Sequence, residues 1–558
     1  MTGSKLSETL KKIVSGEVDD SKATRETYSR DASLFMVRPE VVVFPKGTDD
    51  IEKLVQFATQ EAKNGDHSIN LTPRAAGTDM SGGPLGNSII VDVTRHMHEL
   101  SHLEGGHATV EPGMFYRDFD KKTIAEGWFL PSYTASREIC TVGGMVANNS
   151  GGEKNLKYGK TDAYVEELEV VLADGVRHKF RELTHAELEA HCDRSDFVGQ
   201  VYRQMRKLIE ENREVIEHAR PTVSKNSSGY QLWKVEDPEH DTFNLARLIV
   251  GSQGTLGIIT KIKFRLMKPK PHSAMAVMFL PDLAELGHVT NTVLAHSPES
   301  FESYDDHTFA LAVKYFPEFA VQMKSNIFQL GFSFLPEVIS VIMGGVPKLV
   351  LLAEFAGESA QEAEGKARAL GKEIREKFGV TVKIAPNEAA ARKYWVVRRE
   401  SFNLLRKKVR GLRTAPFIDD FVVLPEYLPE FLPKLELLLK QYKFTYTIAG
   451  HVGDGNFHII PLVDPKDPET PKMIDVLSHQ VYDLVLEYKG SISGEHNDGL
   501  IRTPYVEKMF GHEMTELFQH VKKIFDPQNI FNPGKKVGTT FAQAYEHLDL
   551  VGVQKRAK

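Results

Sequence analysis

Three imidazoles and one carboxylate fall in two short segments towards the end of this chain. One segment reads Gly450-His451-Val452-Gly453-Asp454-Gly455-Asn456-Phe457-His458, and the other Gly494-Glu495-His496-Asn497-Asp498-Gly499. His and Glu are ligands for a divalent ion, and a further His can serve as a general base near neutral pH. The glycines let the backbone come close. Taken alone, His451 and His458, seven positions apart, read more readily as a turn residue and a satisfied strand histidine than as ligands. If the flanking strands form a hairpin, both side chains converge. Glu495 and His496 shift the balance towards a metal site with a base beside it.

These residues need a scaffold of several elements. Val41 to Phe44 reads as a buried strand, followed by a helix that Thr48 caps, with Asp49 and Asp50 in its first turn. Ile69 to Pro73 and Ser88 to Val93 are two more strands, so the chain opens as β-α-β with a glycine-rich loop from Arg74 to Gly86. Glu167 to Leu172 alternates into an Ala173-Asp174-Gly175 turn, a hairpin pattern. Lys268-Pro269-Lys270-Pro271 marks a boundary. Beyond it, strands such as Ala274 to Phe279 and Leu349 to Phe355 mix with a long helix from Ala360 to Phe378, an α+β layer. A helix from Pro425 to Tyr442 leads to a strand from Phe444 to Ala449. The pattern divides the chain into 20–270, 271–490 and 491–540.

Three segments are rich in glycine and small hydroxyls: Arg74 to Gly83, Cys140 to Gly152 and Gly251 to Thr260. Clustered backbone N–H groups can cradle a phosphate without a lysine. None matches the dinucleotide fingerprint or the P-loop, and each alone is also a tight turn. Three in one chain point to a large phosphate-bearing cofactor.

In this order, "PRAAGTDMSGG", "TVGGMVANNSGG", "GSQGTLGIIT", "GHVGDGNFH", "SGEHNDG" and "NPGK" resemble the vanillyl-alcohol-oxidase-type (PCMH-type) flavoproteins. The likeness runs from Val41 to Gly538. It is nearest to the D-lactate, glycolate and D-2-hydroxyglutarate dehydrogenase branch with an FAD-linked oxidase C-terminal domain. The resemblance implies an α+β fold: a two-subdomain FAD-binding domain, an α+β substrate cap and a helical C-terminal segment returning to the flavin. It implies FAD held by Arg74, Ala76, Gly77, Thr78, Gly82, Gly83, Pro131, Thr134, Gly143, Gly144, Asn148, Ser150, Gly151, Gly254, Thr255, Gly257, Ile259, Asn532 and Lys535. Met80 and its neighbours offer no His for a covalent flavin link, so the FAD is expected to be non-covalent. His451, His458 and Glu495 would bind zinc or manganese, and His496 would be the base. Arg398, in Trp395-x-x-Arg398, would hold a substrate carboxylate; alone it reads as a helix-surface cation. Asn226 and Tyr230 match a loop that reaches the flavin. Asp420 aligns with an acidic position that could orient an imidazole, or it sits in a solvated turn.

The last motif departs from the commoner Gly-Glu-His-Gly-Ile-Gly with a Lys three residues on. Here Asn497-Asp498 replaces the apolar pair and Arg502 stands at the lysine position. Arg502 would give a planar donor fork suited to a longer or dianionic substrate. The same form resembles larger relatives fused to an iron–sulfur domain. A separate iron–sulfur subunit is therefore one candidate electron acceptor, beside a quinone, a cytochrome and dioxygen. The alternatives to oxidation of a 2-hydroxy acid are an electron-transfer flavoprotein subunit and an ether-lipid-synthase-type transferase.

At 558 residues, two or three domains are expected. A net charge of -7 offers no case for nucleic acid, and two cysteines exclude a disulfide framework or an iron–sulfur cluster within these residues. The start lacks a secretory apolar region, and no apolar run reaches membrane-spanning length. A cytoplasmic protein, at most peripheral to a membrane and forming homo-oligomers, is expected. The most apolar stretch, Ile327 to Phe355, reads as a buried helix followed by a strand.

Overall fold

Val41–Phe44 and Leu71–Arg74 flank Ile89–Asp92, each running parallel to it, and Glu17–Asp19 adds antiparallel at one edge. The computed structural model describes residues 3–314, 346–408 and 411–550. A parallel sheet is covered on both faces, which is why its strands read as unbroken apolar runs. Val41 and Val43 pack towards the helix Thr48–Lys63, through Ile51, Leu54, Val55 and Ala58. Val42 and Phe44 face Tyr28 instead. Leu6, Leu10 and Val14 join the same core as Val41, upstream of the expected boundary at residue 20. The cap at Thr48 differs from expectation. Gly47 stands at the N-cap without a side-chain bond. The Asp50 carboxylate instead accepts the backbone N–H groups of Ser15, Gly16 and Lys46.

A five-stranded antiparallel sheet follows, in the order Leu100–Glu104, His107–Val110, Ile258–Arg265, Val165–Val171, Arg177–Arg181. The expected hairpin at Asp174 joins its last two strands. Its core takes Met514, Leu517, Phe518, Val521 and Phe525 from the late helix His512–Phe525. The chain then runs beside Leu71, with Leu71 N donating to Ile530 O at 2.7 Å and Asn532 N to Leu71 O at 2.9 Å.

The third sheet has seven antiparallel strands: Thr381–Ala385, His272–Leu280, Leu349–Gly357, Ser300–Asp305, Ile448–His451, Asn456–Ile459 and Phe421–Val422. Period-two alternation splits its side chains between two helical layers. Ala274, Ala276, Met278 and Leu280 pack with Ala363, Ala367 and Leu370 of the helix Ala360–Phe378. Met275 and Val277 pack with Tyr394, Trp395 and Val397 of the helix Glu388–Lys408. Of the apolar stretch from Ile327 to Phe355, the strand part is the buried strand Leu349–Gly357. The expected helix before it lies outside the described residues. The strand expected at Phe444 begins at Ile448, and Thr445 makes only an isolated bridge to Leu462. No helix among the described residues is long and apolar enough to cross a membrane.

Candidate active site

All three glycine-rich loops open into one cavity. Its wall includes Ala75, Ala76, Gly77 and Thr78 from the first loop, Gly143, Gly144, Asn148, Ser150 and Gly151 from the second, and Gly254, Gly257 and Ile259 from the third. Glu495 and His496 line the same cavity. Much of this wall is backbone and small side chains, which lets a phosphate-bearing cofactor approach N–H groups directly. Two glycines are required sterically. A Cβ at Gly254 would lie 2.2 Å from Pro73 Cγ, at a φ of +68°. A Cβ at Gly143 would lie 2.6 Å from Pro112 O. Asp79 is the acidic group of the first loop, and it is used internally. Its carboxylate accepts from Ser81 N, Gly83 N and Asn148 Nδ2 at 3.3, 2.8 and 3.0 Å, tying the first loop to the second.

The two histidines of the opening motif stand on a hairpin. Ile448–His451 pairs antiparallel with Asn456–Ile459, placing Ala449 opposite His458. The turn between them needs Gly455, whose φ is +68° and whose Cβ would lie 1.7 Å from Val423 O. The His451 and His458 rings are 5.3 Å apart and nearly perpendicular, and His496 stacks 5.0 Å from His458. The His451 and His458 rings are each oriented by a carboxylate at Nδ1, and His496 has an Asp419 oxygen beside its Nδ1 without a hydrogen bond. His451 Nδ1 lies 2.6 Å from Glu302 Oε1, His458 Nδ1 3.2 Å from Asp419 Oδ1, and His496 Nδ1 2.8 Å from Asp419 Oδ2. The Nε2 atoms of His451 and His458 then face one atom, Glu495 Oε1, at 3.3 and 3.4 Å. The other oxygen of Glu495 accepts from Lys225 Nζ at 3.0 Å. Carboxylate–imidazole pairs with both Nε2 atoms turned to one point are what a metal-ligating pair needs, because the outer carboxylate fixes tautomer and ring angle. His451, His458 and Glu495 therefore fit a divalent ion.

The cluster's electrostatics follow from packing charges out of water. Burial pushes the Glu495 carboxyl up, but Lys225 and then His451 override it and hold it well below the usual range. Burial opposes a charged His458, yet Asp419 and Glu495 raise it to about 10. His496 is raised in the same way, with Asp420 and Asp419 outweighing burial.

The orienting carboxylate is Asp419, one position before the expected one. Asp420, at a φ of +66°, accepts the backbone N–H groups of Glu495 and His496 at 2.9 and 2.7 Å, and its carboxylate lies within 4.8 Å of ring nitrogens of His458 and His496. It holds the Glu495-His496 segment in place and makes no hydrogen bond to an imidazole among the described residues. Arg502 also differs from the expectation of a substrate-facing fork. It is fully buried, and its guanidinium donates to Asn497 O at 3.0 Å and Asp419 O at 2.5 Å. Asn497 and Asp498 are architectural too. Asn497 Nδ2 donates to Asn148 O and Gly251 O, while Asp498 accepts from Ser228 Oγ, Gly229 N and Lys536 Nζ. Asn497 staples the Glu495-His496 segment to the second and third glycine loops, and Asp498 ties it to Ser228, Gly229 and Lys536, bonds an apolar pair could not make with its side chains.

Other sequence candidates stand back from the cavity. Arg74 borders it, but its guanidinium donates to Tyr28 O and Arg30 O at 3.1 and 2.7 Å. Thr134 lines the wall; Pro131, Gly82, Thr255, Asn532 and Lys535 do not. Thr255 Oγ1 lies 2.6 Å from Tyr230 Oη, Asn532 Nδ2 donates to Gly83 O and Gln253 O, and Lys535 Nζ donates to Leu85 O. These residues clamp the loops from behind. Asn226 bonds to Ser228 O and Ser491 Oγ. Arg398 donates through Nε to Glu302 Oε2 at 3.1 Å, one carboxylate away from His451. Glu302, Asp419 and Lys225 escaped sequence reasoning. The Asp419-Asp420 doublet was the available signal for one of them; Glu302 and Lys225 carry no motif.

The family model for the FAD binding domain matches residues 39–181, and the model for the C-terminal domain of FAD linked oxidases matches residues 269–536. Those two spans carry an FAD binding domain and the C-terminal domain of FAD linked oxidases. The chain is 29% identical over 527 residues to a D-2-hydroxyglutarate dehydrogenase of Pseudomonas putida, covering 93% of this chain and 50% of the relative. It spans about half the length of the first curated relatives it matches. A glycolate oxidase subunit, GlcD, of Bacillus subtilis is 26% identical, with 93% of both chains covered. A D-lactate dehydrogenase of Anaerostipes hadrus is 27% identical, with 89% of each covered. Among solved structures, p-cresol methylhydroxylase with substrate bound superposes with a TM-score of 0.67 at 15% identity, covering 96% of both chains. An alkyldihydroxyacetonephosphate synthase gives 0.64 at 16%, covering 93% of this chain and 83% of that one. These likenesses establish the α+β PCMH-type fold.

Proposed function

We propose that this chain oxidises a D-2-hydroxy acid of the lactate, glycolate or 2-hydroxyglutarate type to the 2-oxo acid, with non-covalent FAD and a zinc or manganese ion. The observation that carries the reading is the convergence of His451 Nε2 and His458 Nε2 on Oε1 of Glu495 at 3.3 and 3.4 Å, Glu495 itself lining the cavity that the glycine loops form. Charge supports it. Glu302, Asp419, Asp420, Asp454 and Glu495 outnumber the neighbouring Lys160, Lys225, Arg398 and Arg502, so with neutral imidazoles the site is net negative and suits a cation. When bound, FAD supplies a two-electron acceptor and the ion a Lewis acid for the hydroxyl and carboxylate oxygens.

The protein's own part is orientation and proton transfer. His496, which lines the cavity with Asp419 beside its Nδ1, serves as the base for the substrate hydroxyl. A cation at the neighbouring ligands would offset the carboxylates that raise this imidazole, favouring the neutral form a base needs. Arg398, anchored at Nε, holds the substrate carboxylate by its terminal nitrogens. A quinone or a separate iron–sulfur subunit takes up the electrons.

Anaerobic mixing of the FAD-loaded protein with a panel of D- and L-2-hydroxy acids tests this reading. One D acid should bleach the flavin, chelation should abolish the reaction, and zinc or manganese should restore it. His496→Ala should slow reduction by on the order of 10²–10⁴-fold. Wild-type reduction rates in the chelated protein or in His496→Ala would sink the proposal.

A further inference from the structure

Glu302 sits in the middle of the seven-stranded sheet, on the strand Ser300–Asp305, in which every residue is buried. A buried carboxylate persists only with partners for both oxygens. Here the two oxygens serve two different functional groups. Oε1 lies 2.6 Å from His451 Nδ1, and Oε2 accepts from Arg398 Nε at 3.1 Å. The sheet makes this arrangement unavoidable. Ser303 pairs with Gly450 and Tyr304 with Ala449, so the antiparallel register continues to Glu302 opposite His451. Tyr304, two positions on, packs with Trp395 and Val397 of the helix Glu388–Lys408. Glu302 shares that face, and Arg398 follows Val397 on the helix. The two terminal nitrogens of Arg398 bond to none of the described residues.

We propose that Glu302 is a positioning residue that couples the carboxylate-binding arginine to the metal-ligating imidazole. One oxygen fixes the tautomer and angle of His451, so that Nε2 faces Glu495. The other takes Arg398 side-on, which leaves the end-on fork free for a ligand carboxylate. The two recognition elements for a 2-hydroxy acid, an ion and a guanidinium, are thereby set at a fixed separation by a single side chain. This rests on the function proposed above, with its assignment of His451 and Arg398.

The test uses the FAD-loaded full chain and three variants: Glu302→Gln, Glu302→Asp and Arg398→Met. The first readout is the dissociation constant for zinc or manganese, by competition with a chelator and with no hydroxy acid present. The second is KM against kcat for the acid that reduces the flavin. Glu302→Gln should weaken metal binding by ~10–100-fold and raise KM by a similar factor. Arg398→Met should raise KM and leave the metal constant as in the wild type. Glu302→Asp keeps the charge with a shorter reach, and should shift both constants to a lesser degree even if the Gln variant fails to fold. Wild-type metal binding in the Glu302 variants overturns the proposal. So does an Arg398→Met variant that loses as much metal affinity as Glu302→Gln, since that would mark general damage to the cap. Because metal affinity is read without substrate, the proposal is tested even if no hydroxy acid reduces the flavin.

Discussion

The cavity formed by the glycine loops and the histidine cluster beside it are built on opposite principles. The cavity is made of backbone: Gly77, Gly143, Gly144, Gly254 and Gly257 contribute no side chain, and Asp79 is consumed in folding its own loop. The cluster is made of side-chain charge, with three imidazoles set among carboxylates and a lysine from other strands and loops. A backbone site depends on conformation and clearance, and fails when a Cβ intrudes. A charge site depends on pairing, and fails when one partner is left alone in a buried place. The two sites share a border, where Glu495 and His496 enter the cavity wall and Asn497 bonds to Asn148 O and Gly251 O, but most of each lies away from it, so each should be breakable without the other.

The largest effect should come from His458→Ala. Removing one of two convergent imidazoles should abolish stoichiometric metal binding and lower flavin reduction by ~10³-fold, the several kcal/mol a Lewis acid supplies. FAD content should stay as in the wild type. Metal and flavin analysis of the purified variant checks both, and joint loss of FAD would mean the two regions are one cooperative unit. Asp419→Asn keeps the shape and deletes the charge that orients His458 and lies beside His496. Metal affinity should fall by ~10–100-fold, again with FAD retained. The converse variant is Gly254→Ala. Its Cβ would press on Pro73 at a φ that L-residues rarely adopt. The strain of ~1–3 kcal/mol should appear as weaker FAD binding, read by flavin release on titration, while metal affinity is unchanged.

The same contrast explains what the sequence could reveal. The glycine loops are legible because a backbone site is written locally: each loop carries its own turn residues, and the strands beside it carry their own alternation. The helix Ala360–Phe378 and the Asp174 hairpin are legible for the same reason. The hairpin that carries His451 and His458 was foreseeable from Gly455 between two short strands. The partners were not. Glu302 lies 149 positions from His451, and Lys225 270 positions from Glu495. Sheet order alone brings them together, and nothing in their local sequence distinguishes them from other buried charges. Asp419 and Asp420 show the limit most sharply. The doublet is visible, but not that Asp419 bonds the His458 ring while Asp420, in left-handed backbone, takes the backbone N–H groups of Glu495 and His496. Arg502 misleads for a related reason: a cation at a motif position invites a ligand, whereas here it is sealed under the loop that it supports.

The smallest effect concerns a charge inside the backbone-built region, where the comparison predicts that charge is a cost. Asp31 is buried behind the first glycine loop, accepting from Ser33 N at 2.8 Å and Gly82 N at 3.1 Å. Burial, and then repulsion from Asp79, push its carboxyl up to about 7. A group whose folded pKa lies above its unfolded value binds protons more tightly in the folded state. It therefore costs nothing at low pH and destabilises progressively as pH rises from about 4, the unfolded value, through 7. Asp31→Asn removes that titration while keeping one acceptor oxygen for the loop. Its thermal midpoint, followed from pH 5 to pH 8, should fall less than that of the wild type, whatever constant offset the lost acceptor introduces. Parallel curves would show that the first loop tolerates a buried charge, and that the division between a backbone-built and a charge-built region is less clean than the geometry indicates.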